Sequence, residues 1–152
     1  MSQIQQLLDA NAGYAQARAN VHDATPSRRL AVITCMDARI DVFAVLGLHL
    51  GEAHVIRNAG GRLTDDVLRS LALSSHVLGV DTVVLALPHG ASQALVPELA
   101  GRVERIIDLA ADFRMPDPSL YDTWYGEAHT APELLDTFVY GLPERFRDRI
   151  VG

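Results

Sequence analysis

Short apolar runs alternate along most of the chain with segments whose apolar residues have helical spacing. Three runs are rich in β-branched residues and short enough for buried strands: Leu30–Cys35 (LAVITC), Ala53–Asn58 (AHVIRN) and Thr82–Leu87 (TVVLAL). A helical segment follows each of them. This alternation predicts an α/β fold in which helices cover a mainly parallel central sheet.

The predicted helices in the first half of the chain have recognisable starts and ends. Residues 2–19 carry apolar side chains at helical spacing, and VFAVLG (42–47) reads as one or two turns ended by a glycine. Thr64 can cap a helix whose first turn contains Asp65 and Asp66, where the helix dipole favours carboxylates. We expect that helix to end at Gly79.

The second half of the chain is harder to interpret. Pro97 suits a first helical position, so we expect a helix from about Pro97 to Asp112. Residues 113–130 are rich in turn formers, and the stretches APELLDTFVY and PERFRDRI predict two short helices. We therefore interpret residues 1–152 as a single domain, with an N-terminal helix over 2–19, a sheet core over 30–112 and a helical part over 113–152.

Composition narrows the function classes. The chain has 152 residues, a net charge of −6 and one cysteine. A single cysteine allows no internal disulfide, and the N-terminus lacks the pattern of a signal peptide, so we expect a cytoplasmic protein. No apolar run is long enough to span a bilayer, and the absence of a basic stripe argues against nucleic acid as a partner.

Polar side chains stand at or next to the predicted ends of the strands. Cys35, Asn58 and His89 lie there, and the carboxyl ends of parallel strands are where such folds place their chemistry. A thiolate, an imidazole and a nearby carboxylate such as Asp37 are ligands that zinc accepts. Arg39 can pair with Asp37 and hold it ionised. The alternatives are a buried structural cysteine and a structural ion pair.

The stretch CMDARIDVFAVLGLHLGEAHVIRNAGGRLTDDVLRSLALSSHVLG resembles the β-class carbonic anhydrases. The likeness runs from Leu30 to Leu87 and rests on Cys-x-Asp-x-Arg, LG, GEAHVIRNAGG and TDDVLRSL in that order. It implies a β-carbonic-anhydrase-like three-layer α/β fold and a homodimer whose N-terminal helix lies on the partner. It also implies a zinc ion whose bound water becomes a hydroxide that hydrates CO2.

The resemblance also implies roles for individual residues. Cys35 corresponds to a zinc ligand, Asp37 to a gate ligand or base, and Arg39 to its partner. Asn58, Ala59 and Gly60 correspond to the wall of the active site, where CO2, bicarbonate or a similar small anion or carbonyl compound would bind.

The chain departs from that family after the third predicted strand. A His-x-x-Cys-Gly segment is expected there, and this chain has LALPHGASQAL and no second cysteine. Our leading expectation is therefore a divergent member with little CO2 hydration and a pocket used for a small anion or carbonyl compound. The alternatives are a zinc lyase rebuilt on Cys35, Asp37 and His89, a metal-free activity with Cys35 as nucleophile and Arg39 or Asn58 holding the oxyanion, and a non-catalytic partner subunit.

Overall fold

A computed structural model of the chain describes residues 1–17 and 23–151. The sheet contains β1 (Leu30–Cys35), β2 (Ala53–Asn58), β3 (Thr82–Leu85) and β4 (Arg105–Asp108), all parallel, in the order β2-β1-β3-β4. The helices are α1 (Gln3–Ala17), α2 (Val42–Leu46), α3 (Asp65–His76), α4 (Ala91–Leu99), α5 (Ser119–Tyr125) and α6 (Pro143–Val151), with a 3-10 helix at Pro132–Thr137. The predicted α/β fold with a parallel sheet is confirmed.

The two faces of the sheet are packed unequally. One face, which includes Ala31 and Ile33, forms the main core with Val67 and Leu71 of α3 and with the apolar side of α4. The other face has a small cluster in which Val32 and Val84 meet Val42 of α2. Because α2 connects β1 to β2 while α3 and α4 make the later crossovers, the connections lie on opposite faces, which gives three layers.

Most predicted starts and ends agree with the structure. The side chain of Asp41 caps α2, and Gly47 ends it with a φ of 60°. Thr64 caps α3, with Asp65 and Asp66 in the first turn. This helix ends at His76, short of the predicted Gly79. The N-terminal helix covers Gln3–Ala17, and residues 18 and 19 of the prediction lie outside the described residues.

The predicted helix from Pro97 to Asp112 is wrong. The helix in this region begins earlier, at Ala91, and Pro97 lies inside it. Gly101 then turns the chain with a φ of 77°, and Arg105–Asp108 becomes the edge strand β4, in parallel register with Thr82–Leu85. The adjacent β-branched residues Ile106 and Ile107 suit this strand, and the ladder to β3 pairs its backbone groups. The two C-terminal segments expected to be helical form the 3-10 helix and α6.

Candidate functional site at the carboxyl edge of the sheet

The carboxyl ends of β1 and β2 bring together the residues singled out in the first half of the sequence. Cys35 and Asn58 are partners in the strand register, and Cys35 is partly buried. The guanidinium of Arg57 donates to the backbone oxygens of Cys35 and Asp37, at 2.9 and 2.7 Å. This clamp fixes the loop that leaves β1 against the end of β2.

Asp37 and Arg39 form a two-point ion pair in this loop. Nη2 of Arg39 lies 2.7 Å from Oδ2 of Asp37, and Nε lies 3.0 Å from Oδ1. The hydrogen bonds from Arg39 lower the pKa of Asp37 below its usual value. The pair holds both oxygens of the carboxylate toward the guanidinium. Its predicted role in catalysis stays a prediction.

Asn58 uses its side chain to close its own loop. Its Nδ2 donates to the backbone oxygen of Arg62 at 2.6 Å, and its Oδ1 accepts from the backbone N–H of Arg62 at 2.7 Å. Ala59 and Gly60 are exposed in the turn between them. An amide engaged in this way has little capacity left for an oxyanion, and the predicted substrate-binding role of the three residues stays a prediction.

His89 lies elsewhere and has different partners. Its Nδ1 is 2.6 Å from Oδ1 of Asp112, its Nε2 is 3.6 Å from Glu127, and its ring stacks on Tyr125 with centroids 4.2 Å apart. Over residues 1–17 and 23–151, no group of three or more His, Cys, Asp or Glu side chains is arranged to hold a metal ion. The structure therefore does not assemble the predicted zinc set of Cys35, Asp37 and His89 among these residues, because Asp37 is paired with Arg39 and His89 with Asp112.

A buried polar cluster at the ends of β3 and β4 was missed by the sequence analysis. Asp112 is fully buried and accepts from the backbone N–H groups of Gly90 and Gln93, at 2.8 and 3.1 Å. It thereby caps the N-terminus of α4 from a distant part of the chain. His129 is also buried: its Nδ1 accepts from the N–H of Ala131, so its Nε2 donates to the backbone oxygen of Asp112, at 2.7 Å.

A second carboxylate, Asp108, stands at the end of β4. Its Oδ1 accepts from the hydroxyl of Ser92 at 2.8 Å and from the N–H of Ala110 at 3.0 Å. Its Oδ2 is buried without a hydrogen-bond partner among the described residues. Burial raises the pKa of Asp108, and the nearby charge of Asp112 adds to the rise. The sequence pattern predicts one helix that contains both Asp108 and Asp112, so no local signal groups them with the turn after β3.

A cleft opens beside the segment that follows β4. It has a volume of about 260 Å³ and is walled by aromatic rings, among which Phe113 and Phe138 stack with centroids 4.2 Å apart. Three charged residues also line it: Arg114, Arg149 and Asp136. The backbone oxygens of residues 109 and 110 hold the Arg114 guanidinium, at 3.3 and 3.1 Å. The cleft therefore combines aromatic walls with two arginines, one of which is held by backbone oxygens.

The family described as the NAD-binding domain of semialdehyde dehydrogenase matches residues 47–152. This match includes β2 to β4, the buried cluster and the cleft. The chain belongs to this family. Among its relatives are N-acetyl-γ-glutamyl-phosphate reductases from Symbiobacterium thermophilum, 45% identical over 87 residues, and from Cereibacter sphaeroides, 52% identical over 73 residues. The alignments cover 57% and 48% of this chain, and the chain spans only 25% and 21% of the length of those proteins.

Solved structures with a similar fold carry a different name. A carbonic anhydrase from Streptococcus mutans is 36% identical, with 68% of this chain and 69% of that chain covered and a TM-score of 0.52. A carbonic anhydrase from Glaciozyma antarctica is 31% identical, with 91% of this chain and 73% of that chain covered and a TM-score of 0.51. The arrangement of strands and helices is thus one that carbonic anhydrases also adopt.

These findings correct the function expected from the sequence. The identification as a β-class carbonic anhydrase, divergent or active, is wrong, because the matched family and the curated relatives are oxidoreductases. Zinc as cofactor and the lyase reaction are overturned with it. Within the described residues, no helix combines the length and apolar character needed to cross a membrane.

The family name implies a dinucleotide cofactor, and the local structure can be tested against it. A dinucleotide fold carries a glycine-rich turn after its first strand, so that the pyrophosphate can approach the N-terminus of the next helix. The loop from Met36 to Asp41 contains no glycine, and the carboxylate of Asp41 occupies the N-terminus of α2. Residues 35–41 also lie outside the matched range. The residues present do not fit a dinucleotide at this position.

Proposed function

We propose that the chain is the acyl-phosphate-binding part of an oxidoreductase of the N-acetyl-γ-glutamyl-phosphate reductase type. The relatives' name specifies a substrate with a phosphate group and a carboxylate, both anionic. The observation that carries the proposal is the cleft with Arg114 and Arg149, which lies within the matched residues 47–152 and beside the carboxyl end of β4. Ligands of α/β sheets bind on the side of the sheet where the carboxyl ends of the strands lie.

The cleft has the features that a small anionic substrate needs. Its volume of about 260 Å³ is near the lower end of ligand pockets and suits a small molecule. The two carbonyl contacts of Arg114 leave other N–H groups of its guanidinium for a ligand. Arg149 lies over the ring of Phe146, with its Cζ 5.9 Å from the centroid. With Asp136 as the single carboxylate of the lining, the cleft keeps one positive charge in excess.

The turn after β3 serves as the support of this site. Asp112 precedes Phe113 and Arg114 directly in the chain, and its bonds to α4 fix the place where the cleft begins. The carboxylates of Asp112 and Glu127 around His89 make that turn itself unsuitable for an anion. The substrate is therefore assigned to the cleft and not to the turn.

The experiment is a titration with inorganic phosphate and with N-acetyl-L-glutamate, followed by calorimetry and by amide shifts in NMR spectra. We expect saturable binding, with shifts at residues 113, 114 and 149. Arg149→Gln removes one charge-assisted contact of about 1.5 to 3 kcal/mol and should weaken binding roughly 10-fold or more.

Arg147→Gln is the matched control. Arg147 lies on the same helix, is exposed and does not line the cleft. It should leave the affinity within about twofold of the unmodified protein. An equal loss of affinity in the two variants contradicts the proposal. So does a failure of both phosphate and N-acetyl-L-glutamate to bind.

We also propose that a second copy of the chain covers α1. This helix has no buried residue, and Ile4, Leu7 and Leu8 are 70%, 66% and 56% exposed. A row of apolar side chains on a lone helix is stabilised when a partner buries it. Light scattering after gel filtration should give a dimer that dissociates in a Leu7→Asp, Leu8→Asp variant and persists in the control Gln5→Asp, Gln6→Asp. A monomeric unmodified protein contradicts this second proposal.

A further inference from the structure

The order of the strands defines where a dinucleotide would lie. β1 has β2 on one side and β3 on the other, and the helices that follow β1 and β3 lie on opposite faces of the sheet. The crevice between the carboxyl ends of β1 and β3 is therefore the topological switch point, the usual ligand position in open α/β sheets.

The chain itself fills this crevice. Gly61, in the loop after β2, is buried, and a Cβ on it would lie 3.1 Å from the backbone oxygen of Ala86 and 3.2 Å from the backbone nitrogen of Cys35. Those two atoms belong to the segments that leave β3 and β1. The backbone of Gly61 thus lies close to both strand ends, and a methyl group there would require these backbone atoms to shift by a few tenths of an ångström.

The loop from Asn58 to Arg62 is held in place by its own hydrogen bonds. The N–H groups of Gly61 and Met36 both donate to the backbone oxygen of Asn58, at 3.2 and 2.8 Å. The two bonds between the side chain of Asn58 and the backbone of Arg62 close the loop around it. Opening the crevice would break this set of bonds together, so the loop does not yield to a ligand at low cost.

The helix N-termini around the crevice add an electrostatic barrier. Asp41 caps α2, Asp65 and Asp66 stand in the first turn of α3, and Asp112 caps α4. A pyrophosphate binds to free N–H groups and the positive end of a helix. At each of these helices a carboxylate already occupies or neutralises that position.

We infer that this chain holds no dinucleotide at its switch point and that the loop from Asn58 to Arg62 replaces the ligand there. The domain thus departs from the cofactor implied by its family name. The inference does not depend on the anion site proposed above, because it concerns another ligand and the opposite part of the edge.

The test is a titration of the full chain with NADPH, NADH and NADP⁺, followed by nucleotide fluorescence and by amide shifts. The concentrations at which enzymes are half-saturated with their substrates lie between about 1 µM and 1 mM. We expect no saturation up to about 1 mM, or binding that leaves the amides of Met36, Gly61 and Leu87 unshifted. Saturable binding that shifts these three amides overturns the inference.

Two controls separate the outcomes. The sample must unfold cooperatively, so that an absence of binding cannot be assigned to unfolded protein. Gly61→Ala would push the loop outward. If the carboxylates at the helix N-termini also exclude the nucleotide, this variant should still not bind it. A gain of tenfold or more in nucleotide affinity overturns the role given to these carboxylates. The phosphate and N-acetyl-L-glutamate titrations on the same sample report on the cleft, so failure of either proposal is recognised independently.

Discussion

Asp112 joins the second half of the chain to the sheet, and its removal tests that interpretation directly. The carboxylate is fully buried, accepts two backbone N–H bonds from the start of α4 and lies 2.6 Å from Nδ1 of His89. Asp112→Ala leaves both N–H groups buried without an acceptor. A helix N-terminus in that condition is destabilised.

The size of the effect follows from these three contacts. Hydrogen bonds to a charged group contribute about 1.5 to 3 kcal/mol each. Taking about 1.5 kcal/mol for each backbone bond and about 1 kcal/mol for the partly exposed His89 contact gives a loss of about 4 kcal/mol. Because whole domains are stable by about 5 to 15 kcal/mol, this loss would remove between about a quarter and four fifths of the free energy of unfolding. Asp112→Asn keeps one acceptor oxygen and should lose about half as much.

Urea denaturation followed by circular dichroism measures the free energy of unfolding for each variant. Asp66→Ala is the control, since its side chain is 91% exposed and its removal should cost less than about 1 kcal/mol. A loss below about 1 kcal/mol for Asp112→Ala, equal to that of the control, would refute the assignment of Asp112 as the cap of α4.

Gly61, Asp108 and Cys35 each offer a separate test. Gly61→Ala should destabilise the fold by more than Gly79→Ala: both have positive φ, which costs an L-residue about 1 to 2 kcal/mol, but only Gly61 faces backbone atoms within 4 Å. Equal losses in the free energy of unfolding, measured by urea denaturation, would contradict the close packing of Gly61 between the ends of β1 and β3. Because the folded pKa of Asp108 is raised, its stabilising contribution is present below the unfolded value and is lost as pH rises through the folded pKa. Asp108→Asn should therefore gain stability relative to the unmodified protein as the pH rises above the ordinary pKa range of an aspartate, and a difference that stays constant with pH would exclude this. Elemental analysis of protein purified without chelator should find well below one zinc per chain, and the same amount in Cys35→Ser. One zinc per chain that is lost in Cys35→Ser would show that Cys35 binds a metal ion.

The elements that the sequence predicts correctly depend on interactions between near neighbours in the chain, and the element that it predicts wrongly depends on a distant one. β1 and β2, the cap of α3 and the end of α2 at Gly47 depend on neighbours in the chain, and the pattern predicted them. The helix predicted from Pro97 to Asp112 is wrong because the start of α4 depends on a distant residue. The carboxylate of Asp112 accepts from the N–H of Gly90, 22 residues away, and caps the helix there. The single-domain interpretation of residues 1–152 stays a prediction.

The candidate sites divide in the same way. By itself the sequence determined the parallel α/β sheet and placed Cys35, Asp37 and Asn58 at one edge, because alternation and strand ends are local properties. Only the tertiary structure decided that His89 turns to Asp112 and that Gly61 closes the switch point. It also decided that Arg114 and Arg149 share a cleft. Each of these depends on contacts between segments far apart in the chain, whose packing no local pattern records.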